Sequence, residues 1–128
     1  MSRVVVTPSD LPAIPSPISY AVVDDGRILV SGMLPVDDKW TVVAKGDMTA
    51  QAERTLDLTG TVLKAAGCSF EDVLKMNVYL VNARDYPAFN EVRRRYFRPP
   101  YPASTVVVVK ELVVPDALIE IEVVARRR

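Results

Sequence analysis

The sequence predicts an α+β fold, a mixed β-sheet with two helices packed on one face. Three observations carry it. Apolar residues recur at helical spacing in two places, Ala52, Leu56, Leu63 and Ala66 in the first and Phe89, Val92 and Tyr96 in the second, with one strand-like run between them. Two runs of β-branched residues close the chain on either side of Pro115. In the second run Ile119, Ile121, Val123 and Ala125 fall on one face by the two-residue period of a strand, and Glu120 and Glu122 on the other.

Taken in order, Val4-Val5-Val6 reads as a short first strand. Four prolines between Pro8 and Pro17 keep the next stretch an extended loop. Residues 19–23 and 28–31 then bracket Asp24-Asp25-Gly26-Arg27, a hairpin signal, and Ser31-Gly32 ends the second of these strands. Gly32 reads as a bulge or turn glycine, or as a place where backbone N–H groups face a ligand. The loop 35–46 holds Trp40, expected to cap the core, with a position over a cleft mouth as the alternative. Asp47 is placed to cap the first helix, which Gly67 ends. Ser69 and Asp72 have capping spacing, and Cys68 between these breaks reads as an inert small residue. Residues 73–81 form the next strand, with Leu74, Met76, Val78 and Leu80 on one face and Lys75, Asn77 and Tyr79 on the other. Pro87 suits the first turn of the second helix, and Pro99-Pro100 prevents its continuation. The run Arg93-Arg94-Arg95 lies near its C-terminal end and reads as a solvated face, or as one that turns an arginine toward an anion or another subunit.

Composition narrows the function. The 128 residues, 49% of them hydrophobic and 25% charged, suit a single domain spanning 1–128 with one core. Sixteen basic and sixteen acidic side chains cancel, so no net field draws the chain to nucleic acid or to a membrane surface. No apolar run reaches the roughly 20 residues of a membrane helix, the N-terminus lacks a signal-peptide core, and a single cysteine fits a reducing cytoplasm. The absence of histidine removes His-based triads and the common zinc sites, and no glycine-rich loop cradles a phosphate. With helices on one face, the other is expected to carry Tyr79, Val106, Val108, Val124 and the two glutamates. Such a face is too apolar to stay wet, which predicts closed self-association with clefts bordering the Glu120 strand.

The ordered fragments Ser31-Gly32-Met33-Leu34-Pro35-Val36, Ala65-Ala66-Gly67, Val73-Leu74-Lys75 through Tyr79-Leu80, Asn90 with Tyr96-Phe97, and Pro102-Ala103-Ser104-Thr105 through Ile119-Glu120-Ile121-Glu122 resemble the Rid family, the YjgF-type reactive intermediate deaminases. The resemblance spans residues 18–126. It implies a chorismate-mutase-like subunit, a homotrimer with three inter-subunit clefts, no cofactor and no metal, and hydrolysis of 2-imino or 2-enamino acids. It also implies a site of Ser31, Gly32, Asn90 and Glu120, with Glu120 holding a water and taking its proton.

Departures accompany the match. Deaminating members carry a carboxylate-clamping arginine after the Pro-Ala, where this chain has Ser104. The family's thiol position is Val106, and its early tyrosine aligns with Ile18, two residues before Tyr20. Three readings follow: an imine or enamine hydrolase that lacks the usual clamp or draws one from Arg93 or Lys110, a small-metabolite-binding trimer without turnover, and a structural or stress-related trimer.

Overall fold

The computed structural model describes residues 3–128. Strands β1 (Val4–Val6), β2 (Ala21–Asp24) and β3 (Arg27–Met33) lead into helix α1 (Met48–Ala65). Then come β4 (Val73–Leu80), helix α2 (Tyr86–Tyr96), β5 (Ala103–Val108) and β6 (Ile119–Arg126). They make one six-stranded sheet in the order β1-β2-β3-β6-β4-β5. Every pairing is antiparallel except β4 with β5, which helix α2 connects. Parallel neighbours need such a crossover, because no tight turn can reverse the chain twice.

Local chemistry sets the element ends as expected. Asp25 and Gly26 take positive φ between paired Asp24 and Arg27, the backbone of a tight hairpin turn. Asp47 Oδ1 accepts the Ala50 N–H at 3.0 Å and caps α1. At the other end Gly67 takes φ +80, and the Cys68 and Gly67 N–H groups close back on Leu63 and Lys64. This is the paired-bond ending that glycine permits. Ser69 and Asp72 cap a short 3₁₀ turn, with Asp72 Oδ2 accepting the Ser69 N–H at 2.9 Å. Cys68 is buried, and burial raises its thiol pKa, which suppresses the thiolate.

The core lies between the sheet and the two helices. Ile119, Ile121, Val123 and Ala125 of β6 are all buried, against Leu56, Val62 and Leu63 of α1 and Phe89 and Val92 of α2. A polar side chain in the first turn of α1 is also buried: Gln51 donates to the Ala44 and Asp116 carbonyls and accepts the Leu118 N–H at 2.8 Å. It thereby anchors the chain just before β6 begins.

Two expected faces are corrected by register. Leu74 does not share the inward face of β4: it is 45% exposed, because the pairing with β6 shifts between Val73 and Lys75 and Val73 takes the inward place. Val106 and Val108 do not lie opposite the helices. They pair with the inward Val78 and Leu80, whereas Thr105 and Val107 pair with Asn77 and Tyr79 on the uncovered face. That face thus carries Val107 beside Tyr79, Glu120, Glu122 and Val124, as well as an apolar row through Val5, Val22 and Leu29.

Candidate functional site

Strand β6 places Glu120 on the uncovered face, next to β3. Between Val30 and Met33 the β3 pairing shifts by a bulge that contains Ser31 and Gly32. A methyl group on Gly32 would collide with Glu120 Oε2, so the carboxylate lies directly against the glycine backbone. A side chain at this position would have to push the Glu120 carboxylate aside. Ser31 is held from both ends: its N–H donates to the Tyr20 carbonyl, and its hydroxyl to the Ser19 carbonyl at 2.6 Å.

The two glutamates have different settings. Glu122 accepts from the Tyr79 hydroxyl at 2.8 Å and the Asn77 amide at 3.1 Å. Glu120 has no hydrogen-bond donor among the described residues. Burial raises its pKa, and the negative charge of Glu122 adds to the rise. A half-buried carboxylate that lacks a donor and resists ionisation is suited to hold a water and exchange a proton with it.

Ile18, 58% exposed, opens onto a cavity of about 270 Å³ behind Ser31 and Gly32, lined further by Met33, Trp40 and Leu58. Tyr20 lines it too, but its ring stacks on Trp40 at 6.5 Å and its hydroxyl donates to the Pro12 carbonyl, so it shapes the wall. Trp40 both packs on the core and borders this opening. Its φ of +63 is unusual for a bulky residue, and the turn is held by Asp37, whose Oδ1 accepts the Lys39 and Thr41 N–H groups. Those donors lower the Asp37 pKa.

The remaining sequence-predicted residues form a second cluster. Asn90 of α2 and Ser104 of β5 line a separate cavity of about 410 Å³ with Met76, Tyr86, Arg93 and Phe97. Val106 lies two residues along β5, half-buried on the core edge beside Val78. Strands β6 and β4 separate β5 from β3, a span of about 14 Å. Ser104 pairs with inward Met76 and Glu120 with outward Tyr79, so the two side chains leave opposite faces of the sheet. Within one copy, Ile18, Ser31, Gly32 and Glu120 are brought together, and Asn90, Ser104 and Val106 are not brought to them.

The family model described as Endoribonuclease L-PSP matches residues 10–127. The chain belongs to this family, the Rid or YjgF-type family. It is 39% identical to the 3-aminoacrylate deaminase RutC of Acinetobacter baylyi over 125 residues, 98% of either chain. It is 34% identical over 123 residues to the human 2-iminobutanoate/2-iminopropanoate deaminase, covering 96% of this chain and 89% of that one. The crystal structure of E. coli TdcF with bound serine superposes with a TM-score of 0.87 at 28% identity, covering 97% of this chain and 98% of that one. The fold is thus that of the Rid family, a mixed sheet with two helices.

Arg93 and Tyr86 also line the second cavity, a placement that residue-by-residue reading undervalued. Arg93 sits inside a run of three arginines that looks solvated as a block. The legible signal was spacing: Tyr86, Asn90 and Arg93 follow one another at four and three residues and so share one helix face. Arg94 and Arg95 do face solvent, paired with Glu91 and Glu53.

Proposed function

We propose that this Rid-family protein hydrolyses a reactive imine or enamine to the carbonyl compound and ammonia, in clefts between the copies of a homotrimer. Deaminases of 3-aminoacrylate and of 2-imino acids among its relatives support the reaction class. The observation that carries the reading is Glu120: a carboxylate without a donor, held against the Gly32 backbone, with its pKa raised by burial. An iminium carbon is already electrophilic, so the protein needs neither metal nor organic cofactor to activate it. Glu120 accepts a proton from water as the water oxygen bonds to that carbon, giving a carbinolamine. The same proton then passes to the nitrogen; as the C–N bond breaks and ammonia leaves, the carbinolamine hydroxyl gives its remaining proton to the freed Glu120 carboxylate and the carbonyl forms, and Glu120 returns that proton to the departing ammonia as ammonium.

The division of the site supports assembly. Ile18, Ser31, Gly32 and Glu120 lie at one end of the sheet, Asn90, Ser104 and Val106 at the other, and only a second copy can bring one set to the other. The uncovered face, with Leu29 44% exposed and Val107 41% exposed, supplies an apolar surface for that contact. The ligand is a small molecule; the balanced charge of the chain argues against nucleic acid. The lone reduced Cys68 fits a cytoplasmic setting, and no helix among the described residues is long and apolar enough to cross a membrane.

The test is ammonia release from imines generated in situ by an amino-acid oxidase. Glu120→Gln is expected to lower the rate by about 10²–10⁴, the range of a lost general base. Undiminished release in that variant rules out the role of Glu120. Saturable ligand binding with no release from any imine would favour the second reading, a metabolite-binding trimer, which draws on Ser104 standing where the family resemblance implies an arginine.

A further inference from the structure

The cations near the two groups of site residues are already engaged. Arg93 donates through Nε and Nη2 to Asn90 Oδ1 at 3.1 and 2.7 Å, and through Nη2 to the Tyr86 hydroxyl at 3.2 Å. Its Nη1 donates to Ser104 Oγ at 2.9 Å and to Met76 Sδ at 3.9 Å. Together these bonds use all of its N–H groups. Arg94, which lines the same cavity, is paired with Glu91. Lys110 is exposed and lies six residues beyond Ser104 on an extended path, about 20 Å away. Lys75 donates to Thr105 Oγ1 at 3.0 Å and stands four residues from Tyr79, the strand partner of Glu120, about 13 Å along β4.

The cavity behind Ser31 and Gly32 has the opposite character to an anion site. Its walls are Ile14, Ile18, Leu34, Trp40, Leu58 and Val114. The charged groups that line it are two carboxylates, Asp37 and Asp38, against one guanidinium, Arg54, whose Nε donates to the Val36 carbonyl at 2.8 Å. The wall is preformed, since Tyr20 stacks on Trp40 and is tied through its hydroxyl to the Pro12 carbonyl, so a bound group has little to order. At about 270 Å³ the space exceeds the roughly 150 Å³ that holds a benzene ring. Gly32 belongs to both places: it lines this cavity, and the Glu120 carboxylate lies against it. A carbon that reacts at Glu120 thus has an apolar space one residue away.

We propose that this cavity holds the apolar group of the substrate, and that the substrate is the aldimine of a branched-chain or aromatic aldehyde, an imine that carries no carboxylate. The assignment rests on the hydrolase reading of Glu120. A protonated aldimine is a monocation, which suits a surround of Glu120, Asp37 and Asp38. A 2-imino acid adds an anion that these carboxylates repel, with no open guanidinium edge on Arg93 to receive it. Hydrolysis consumes one water and gives the aldehyde and ammonia. The reaction that supplies the substrate is the two-electron oxidation of a primary amine, RCH2NH2 to RCH=NH, with dioxygen reduced to hydrogen peroxide by a flavin-dependent amine oxidase.

Calorimetric titration of the full chain with 3-methylbutanamide, acetamide and 4-methyl-2-oxopentanoate tests the assignment. The first two differ in the apolar group, and the first and third in an amide nitrogen against a carboxylate. 3-Methylbutanamide is expected to bind at least about 30-fold more tightly than acetamide, the effect of three further buried carbons. It is expected to bind at least about 10-fold more tightly than the keto acid, whose charge meets like charge. Trp40→Ala, which removes a wall, is expected to weaken its binding by about 10-fold. Ile18→Asp puts a charge at an exposed position on the opening, is expected to have a similar effect, and is read alone where the Trp40 variant does not fold. Ammonia release is then compared for two matched imines, one made from 3-methylbutylamine by an amine oxidase and one from leucine by an amino-acid oxidase. The aldimine is expected to be hydrolysed at least about 10-fold faster. Equal binding of the two amides, keto-acid binding as tight as that of 3-methylbutanamide, or unchanged affinity in the folded variants overturns the assignment. Glu120-dependent release that is faster from the leucine imine defeats this proposal alone. Selective binding of 3-methylbutanamide with no release from either imine defeats the hydrolase alone.

Discussion

Glu120 and Glu122 are two residues apart on one strand face, yet they meet different surroundings. Tyr79 and Asn77 satisfy Glu122, while burial and the neighbouring charge act on Glu120 with nothing to offset them. The folded protein thus holds the Glu120 proton to a higher pH than the unfolded chain does. Between those two values the native state binds more protons, so stability falls with rising pH. The contribution of Glu120 is fully present below the ordinary carboxylate range and is lost as pH rises through the raised value. Glu120→Gln keeps the shape and removes the ionisation. Relative to the parent, the variant is expected to gain more stability at neutral pH than in mild acid, measured by urea unfolding. An equal difference at both would show that Glu120 ionises as freely in the fold as outside it. The strand period made this residue legible, but the absence of donors around it depended on which residues β3 and β4 bring alongside.

Among the elements, α1 illustrates how a side chain can connect distant segments. Its apolar period and both caps were readable, because each depends on residues within a few positions. Gln51 was not. It faces the core and bonds to Ala44, Asp116 and Leu118, the last two more than sixty residues away. Gln51→Leu fills the space but leaves the Asp116 carbonyl and the Leu118 N–H without their partner, while the Ala44 carbonyl keeps the Asp47 N–H. It is expected to cost about 1–3 kcal/mol, visible as a lowered urea midpoint with unchanged slope. It should also lower ammonia release, since Leu118 leads into the strand that carries Glu120. A variant as stable as the parent would mean that water replaces both bonds. Helix α2 shows the reverse case, in which the spacing of Tyr86, Asn90 and Arg93 was present but their convergence on Ser104 required β5 to pair parallel to β4.

For the whole molecule the decisive surface is the uncovered face. A row of Val5, Val22, Leu29 and Val124 crosses four strands there, and the two half-sites flank the sheet. The proposed trimer buries this row. Sedimentation at micromolar concentration is expected to give three times the monomer mass, and Val124→Lys to shift the population toward monomer with loss of ammonia release. A monomeric parent would remove the shared cleft. The sequence by itself determined the element order, the hairpin, the caps, the division of β6 into an apolar and an acidic face, and membership of the Rid family. These follow from contacts between near neighbours in the chain and from side-chain period. Only the tertiary structure decided that Val106 and Val108 turn toward the helices, that Leu74 is expelled by a bulge, and that Arg93 reaches Ser104. Each of these depends on strand register, which sets a side chain's face by pairing with a partner far away in sequence, and a shift of one residue reverses it.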